Sequence, residues 1–224
     1  MQQQYEYMAA MPLFAHIQAD ELEKLLPCLG AQTKNVAKGG IVLLAGDPVE
    51  NVGLILSGTA QIVREDEAGN RNMLGRVEPG DLFAEMFACI GVAYAPVTVV
   101  AETDVSALFL NFRRIIHSCT SACAFHSRLV ENMLRLFAKK TLALNEKLDC
   151  VGRRTLHEKV HAFLTIQREQ QQCNPFSIAY SRAEMADYLC VDRSALSAML
   201  SRMKQNGEID YQKNHFTLLP DFYP

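Results

Sequence analysis

The hydrophobic pattern along the chain first predicts a β-rich segment over residues 31–111. Short apolar runs alternate there with glycine, asparagine and aspartate turn signals, at intervals of about 8–12 residues. Many short strands with this spacing are typical of an antiparallel barrel or roll, and a short helix at 20–26 is predicted to precede it. The runs are Ile41–Leu44, Val52–Leu56, Ala60–Val63, Val97–Ala101 and Val105–Leu110.

The pattern becomes helical from His126 to Leu148. One apolar stripe follows steps of four and three residues, the spacing of a coiled-coil seam, at Val130, Leu134, Phe137, Thr141, Leu144 and Leu148. A second stripe beside it contains Leu129, Met133, Leu136 and Ala143. Such a helix can pack on its own roll with one stripe and on a second copy of the chain with the other. The alternative is a helix buried within a monomer.

The last third of the chain predicts a helix-turn-helix. After a helix from Thr155 to about Glu169, Ser181 and Glu184 fit a capping box at the start of another helix. Asp192 is a suitable N-cap for the helix that follows. That helix has apolar residues at i, i+3, i+4 and i+7, namely Leu196, Met199, Leu200 and Met203.

A β-hairpin wing is predicted after this helix, from short apolar runs at 209–211 and 216–219. A helix of this kind fits the major groove of DNA, with its N-terminal residues at the base edges. The alternative is an ordinary helix pair that closes a small core. The residues expected to contact DNA are Arg182, Arg193, Ser194, Ser197, Arg202 and Lys204.

Charge is divided unevenly along the chain. The 224 residues carry a formal net charge of −3. Residues 1–110 contain 6 Lys and Arg against 14 Asp and Glu, whereas residues 111–224 contain 16 against 11. Any nucleic acid is therefore expected to meet the C-terminal half.

Targeting and redox signals predict a cytoplasmic protein. Seven cysteines, an odd number without small-scaffold spacing, indicate free thiols in a reducing compartment. The N-terminus lacks the basic region and apolar core of a signal peptide. The longest uncharged stretch, Met86–Ala101, has 16 residues and contains Gly91 and Pro96, so no membrane span is expected.

The chain resembles the CRP/FNR superfamily of bacterial transcription regulators. The resemblance rests on the order of three elements, namely an acidic β-roll, a long helix with a seam and a C-terminal winged helix-turn-helix. Its most specific pieces are Gly80-Asp81-Leu82-Phe83-Ala84-Glu85-Met86, similar to the family's effector-binding cassette, and Ser181–Met203. The resemblance implies an α+β fold with an antiparallel β-roll of the cyclic-nucleotide-binding, cupin-like type at 1–125. A dimerisation helix at 126–150 and a winged helix-turn-helix at 151–224 would follow. It also implies a homodimer, double-stranded DNA and RNA polymerase as partners, and a small-molecule effector.

Departures from the family pattern bear on that effector. Cyclic-nucleotide members use a cassette glutamate for the ribose hydroxyl and an Arg-Ser pair for the cyclic phosphate. Glu85 matches the glutamate, but Ala95-Pro96 stand where the pair should be, and no Lys or Arg occurs between Arg76 and Arg113. A buried phosphate without a cation carries a large desolvation penalty. The sequence therefore predicts an effector other than cyclic AMP.

The expected effector site lies between the cassette and the long helix. It would offer apolar area, one carboxylate and no cation, which favours a neutral or cationic small molecule over a phosphate or carboxylate. The alternative is an empty, constitutively active roll. The predicted lining is Phe83, Glu85, Met86, Tyr94, Leu129, Met133 and Leu136.

The predicted recognition helix also departs from the family. Half-sites in the family commonly rely on a Glu and an Arg four residues apart on this helix. Ser194 and Ala198 occupy those positions, while the preceding Arg193 is kept. The usual family half-site is therefore not expected.

Cysteine and histidine spacing raises a thiol- or metal-responsive regulator as an alternative. In a helix, Cys119, Cys123 and His126 would share one face, and their thiolate and imidazole groups suit zinc or haem iron. The favoured interpretation is that both cysteines pack as small hydrophobes, with no metal and no cofactor. Cys28 and Cys89 are too few for the four thiolates of an iron–sulfur cluster.

Catalysis is not expected. Metal-dependent cupin enzymes need clustered histidine and carboxylate ligands inside the roll, and no histidine occurs between His16 and His117. No Gly-rich phosphate loop or nucleophile elbow is present either. The stronger rival to a DNA-binding regulator is an effector-binding module that never touches DNA.

Overall fold

The computed structural model describes residues 2–65, 71–117 and 124–222. They belong to two compact units, Met1–Phe137 and Ala138–Pro224. One helix, α5 (Ala124–Gly152), runs through the border between them. Within the described ranges, no helix combines the length and apolar character needed to cross a bilayer.

Two four-stranded antiparallel sheets form the frame of the first unit. One sheet has the order β1-β8-β3-β6 and the other β2-β7-β4-β5. Their apolar residues meet in a single core, which explains why β3 (sequence NVGLILS) is apolar on both faces. The strands are β1 Gln32–Val36, β2 Ile41–Leu43, β3 Asn51–Ser57, β4 Ala60–Glu65, β5 Arg71–Val77, β6 Leu82–Phe83, β7 Thr98–Ala101 and β8 Val105–Asn111.

Short helices surround the sheets, and α5 joins the same core. Leu129 and Met133 of α5 are fully or almost fully buried there, as the second apolar stripe predicts. The buried side-chain amide of Asn132 donates to the backbone oxygens of Leu13 (3.1 Å) and Ala15 (2.7 Å). The other helices are α1 Gln2–Ala9, a 3₁₀ turn at Pro12–Phe14, α2 Ala19–Cys28, α3 Glu85–Ile90 and α4 Phe112–Ile116.

The close approach of Phe83 to Gly53 is expected to make Gly53→Ala destabilising. A Cβ atom at Gly53 would overlap the ring of Phe83, which is 1% exposed and packs edge-on against Phe109. Overpacking of this kind costs about 1–3 kcal/mol. Gly75→Ala is the matched control, because a Cβ there meets no atom within 4 Å. Thermal melting should show a clear loss for the first variant and near-neutrality for the second; equal melting temperatures would contradict the packing.

The second unit is a three-helix core with a small sheet. Its core contains Phe163, Leu164, Leu196, Leu200 and Met203, all buried. The three-stranded sheet has the order β10-β11-β9, and β10 and β11 form the predicted hairpin wing. The elements are α6 Leu156–Gln171, β9 Phe176–Ser177, α7 Arg182–Leu189, α8 Arg193–Gln205, β10 Ile209–Gln212, β11 His215–Leu218 and a 3₁₀ turn at Pro220–Phe222.

The α+β class, the antiparallel roll, the long helix and the winged helix-turn-helix are confirmed. The assignment of 126–150 as a separate dimerisation segment stays a prediction.

Candidate nucleic-acid interface and sensor site

Both helices of the helix-turn-helix begin at the predicted caps. The Ser181 hydroxyl accepts from the Glu184 amide (3.2 Å), and the Glu184 carboxylate accepts from the Ser181 amide (2.7 Å). Asp192 accepts from the amides of Ser194 (2.7 Å) and Ala195 (3.1 Å). The Ser194 side chain and these amides lower the pKa of Asp192. The start of α8 is therefore well defined.

The turn between α7 and α8 is tight. Cys190 ends α7 in the left-handed conformation, with φ of 54°. The amides of Cys190 and Val191 donate back to Asp187 (3.2 Å) and Ala186 (3.0 Å). Because of this closure, only three residues separate the end of α7 from the start of α8.

The outer face of α8 carries most of the predicted DNA contacts. The buried residues Leu196, Leu200 and Met203 fix the opposite face against the core. The Ser194 hydroxyl donates to Asp192, and the Ser197 hydroxyl donates to the Arg193 backbone oxygen (2.9 Å). Both hydroxyls therefore present acceptor lone pairs outward. The exposed predicted contacts are Arg193, Ser194, Ser197, Arg202 and Lys204.

Arg182 and Lys204 both contact the wing, and their expected contacts with DNA stay predictions. Arg182 is half-buried and its guanidinium is directed at the wing. Lys204 is exposed, but its ammonium lies 2.6 Å from the Asp210 carboxylate of β10. Both residues were predicted to contact DNA because the sequence does not show which aromatic and acidic groups of the wing lie beside them.

The predicted effector lining divides into buried and surface residues. Phe83, Leu129 and Met133 are core residues, and Leu136 is partly buried against the same core. Glu85 is 3% exposed at the start of α3.

Met86 and Tyr94 are 59% and 64% exposed, so the structure does not bring them into that buried group. Successive residues of a helix differ by about 100° in direction, so Met86 faces outward when Glu85 faces inward. The sequence could not resolve this in a helix of only six residues.

The position expected for the Arg-Ser pair is closed by backbone pairing. Ala95 is buried, its amide donates to the Asp47 oxygen, and its own oxygen accepts from the Gly46 amide, both at 2.8 Å. A buried alanine therefore stands where a phosphate-binding arginine would be required.

A cavity of about 350 Å³ in the first unit is lined by a lysine side chain, which was not expected there from the sequence. Lys34 of β1 lines it, together with Asp47, Glu50 and Ala84. The Lys34 ammonium donates to the backbone oxygens of Ile41 (3.3 Å) and Val42 (3.0 Å). A charge from the first strand reaches this cavity because β1 and β2 are connected by a short turn. The two carboxylates leave the cavity acidic overall.

The candidate metal ligands lie only partly within the described residues. Cys119 and Cys123 are outside them. His126 is buried, and its Nε2 lies 3.3 Å from the Arg114 backbone oxygen. Among the described residues, no group of three or more His, Cys, Asp or Glu is arranged to hold a metal ion.

Comparison with known proteins agrees with this architecture. Residues 33–119 match the family model of the cyclic nucleotide-binding domain. The transcriptional activator protein FnrL of Cereibacter sphaeroides is 28% identical over 193 residues, which cover 82% of this chain and 75% of FnrL.

Two solved structures share the fold. CprK in complex with OCPA aligns with a TM-score of 0.63 at 10% identity, over 89% of this chain and 91% of CprK. The c-di-GMP-responsive global regulator CLP of Xanthomonas campestris aligns with a TM-score of 0.56 at 17% identity, over 90% of this chain and 99% of CLP.

The antiparallel roll, the long helix and the capped winged helix-turn-helix occur in the order that the resemblance to bacterial transcription regulators implies. The chain is thus similar to the cyclic nucleotide-binding domain in its first half and to a transcriptional activator over most of its length, in agreement with its resemblance to the CRP/FNR superfamily.

Proposed function

We propose that the chain is a homodimeric regulator that binds specific DNA sequences through α8. The observation that carries this proposal is the division of α8 into a buried apolar face and an exposed face of arginine and serine residues. A capped helix whose first turn is polar and exposed fits the major groove with its N-terminal residues at the bases. The proposed organisation is a sensor at 1–125, a dimerisation helix at 126–150 and a DNA-binding domain at 151–224.

Arg193 and the two serines supply the base-reading chemistry. An arginine can donate two hydrogen bonds to the O6 and N7 atoms of guanine. Ser194 and Ser197 have their hydroxyl protons engaged within the protein, so they offer acceptors to the amino groups of adenine or cytosine. Arg202, in the last turn of α8, is the residue that we propose for contact with the phosphate backbone.

The salt dependence of binding tests this function. Each phosphate neutralised by Lys or Arg releases counterions, so the logarithm of affinity should fall linearly with the logarithm of salt concentration. Fluorescence anisotropy with labelled duplex DNA, measured across a salt series, should give a steep slope. Weak binding that does not change with salt would instead favour an effector-binding module that does not act on DNA.

Dimerisation through α5 is supported by the exposure along its seam. Leu134, Leu144 and Leu148 are exposed by more than half within one chain, while Leu129 and Met133 of the second stripe are buried in the roll. A homodimer is also what the resemblance to the CRP/FNR superfamily implies. A second copy is therefore the occupant that we propose for the seam.

We expect cyclic AMP not to bind. The phosphate would find the closed Ala95 backbone in place of an arginine, and Lys34 is committed to two backbone oxygens. Calorimetry with cyclic AMP should therefore give no heat of binding. The effector that we propose instead is a neutral or cationic small molecule. Tight binding of cyclic AMP that Glu85→Ala abolishes would overturn this expectation.

A further inference from the structure

Arg182 reaches from the first residue of α7 to the wing. Its Nη2 donates to the backbone oxygen of Lys213 at 2.6 Å. The guanidinium carbon lies 4.9 Å from the centroid of the Phe216 ring and 5.2 Å from that of Tyr211. These distances are within the range of cation–π contact. One side chain therefore contacts both strands of the hairpin and the turn between them.

In this position the Arg182 guanidinium is not accessible to the phosphate backbone of bound DNA. Its Nη1 atom is fully buried and has no hydrogen-bond partner among the described residues. The same burial lowers the pKa of Arg182 from its ordinary value. A phosphate could contact this nitrogen only if the wing first moved away.

Lys204 holds the same part of the wing from the second helix. Its ammonium lies 2.6 Å from the Asp210 carboxylate, 3.3 Å from the Tyr211 backbone oxygen and 5.3 Å from the centroid of the Tyr211 ring. The Tyr211 ring is thus contacted by a cation from each helix of the helix-turn-helix. Movement of the wing would disturb both contacts.

The turn of the wing is also fixed by the segment around β9. The Ile178 amide donates to the Asn214 backbone oxygen at 2.9 Å, and the Ser177 hydroxyl lies 2.8 Å from Nδ1 of His215. Together with Arg182, these contacts hold three successive residues, 213 to 215. The Lys213 side chain remains exposed at the turn.

We propose that Arg182 is a positioning residue, which acts on DNA binding by fixing the wing through Tyr211 and Lys213, with Lys204 as its counterpart on α8. The proposal rests on the proposed function, since it assigns how the DNA-binding unit is organised. Arg182 contributes to affinity through the wing and does not itself touch the DNA.

Hydrogen exchange without DNA tests the contact to the wing. In Arg182→Gln, backbone amides of residues 209–218 should exchange about tenfold faster, because the cation–π contacts are lost. Arg202→Gln is the matched control, since it removes an exposed arginine of α8 and should leave wing exchange unchanged. Unchanged wing exchange in Arg182→Gln would overturn the proposal.

A double-mutant cycle on DNA tests the route of action. The probe is a duplex isolated from a random-sequence pool with the unmodified protein. We take the exposed Lys213 side chain as the group through which the fixed wing contacts the DNA. Arg182→Gln should therefore weaken binding about tenfold alone but add little in a Lys213→Ala background, because that variant has already lost the contact between the wing and the DNA. Tyr211→Leu should reproduce the loss without removing a charge. Thermal melting checks that each variant is folded.

Fully additive losses, or full affinity in Tyr211→Leu, would mean that Arg182 contacts the DNA directly and would overturn the proposal. Failure of the unmodified protein to bind any duplex would refute the proposed function itself. The exchange experiment distinguishes the two failures, because it reports on the wing without DNA.

Discussion

Replacing Leu144 by aspartate is expected to convert the protein to monomers and to weaken DNA binding by about 100-fold or more. Leu144 is 57% exposed in one chain and lies on the seam of α5. In a symmetric dimer the two new carboxylates would approach each other in an apolar interface, at a cost of several kcal/mol. Sedimentation measures the association, and anisotropy with a selected duplex measures the affinity.

Leu142→Asp is the control for this experiment. Leu142 is 59% exposed on the same helix but lies off the seam, so its variant should remain dimeric. Phe137 is a poorer choice, because it packs partly against the core of the roll and its loss would also disturb folding. A dimeric Leu144→Asp variant, or unmodified protein that is monomeric at micromolar concentration, would contradict the assignment of the seam.

Replacing Arg193 by alanine is expected to remove the preference for one base pair in each half-site. A bidentate contact to guanine discriminates by roughly 1–3 kcal/mol, and a dimer makes it twice. Arg193 is suited to this role because it is exposed at the first position of α8, directly after the Asp192 cap. Selection of duplexes from a random pool, carried out with the variant and the unmodified protein, measures the change.

Arg202→Ala provides the comparison. Its loss should weaken binding to all sequences by a similar factor and reduce the salt slope by about one, as expected for a phosphate contact. If Arg193→Ala kept full preference at every position, the base-reading role of Arg193 would be wrong.

Local chemistry explains which parts of the fold could be predicted from the sequence. The caps at Ser181 and Asp192 were predictable because each uses residues within three positions along the chain. The strands β3 and β8 were predictable because both are central in their sheet. The residues of β3 are continuously buried apart from its two ends, and those of β8 largely alternate between buried and partly buried positions. The wing was predictable from its two apolar runs.

Elements without an apolar signal were missed. β1 was not predicted, because its residues Gln32–Val36 are almost all exposed at a sheet edge and include a lysine. The polar run Gln170–Gln172 contains no apolar position that would mark a helix, yet Gln170 and Gln171 lie in the last turn of α6. Glutamine is a good helix former, and the helix continues until Gln172 adopts the left-handed conformation.

The roles of Arg182 and Lys204 depend on contacts that span the unit. Arg182 is 29 residues from Tyr211 along the chain, and only the folded wing brings the ring to its guanidinium. Both residues were predicted to contact DNA because each carries a positive charge and lies on a helix of the helix-turn-helix. The aromatic and acidic neighbours that hold them become apparent only in three dimensions.

Selection of bound duplexes from a random-sequence pool by the unmodified full-length protein tests the central claim most directly. We expect a near-palindromic site with two half-sites about 10 base pairs apart from centre to centre, each containing a guanine that depends on Arg193. Enrichment of no common sequence, with weak binding that is insensitive to salt, would contradict the account.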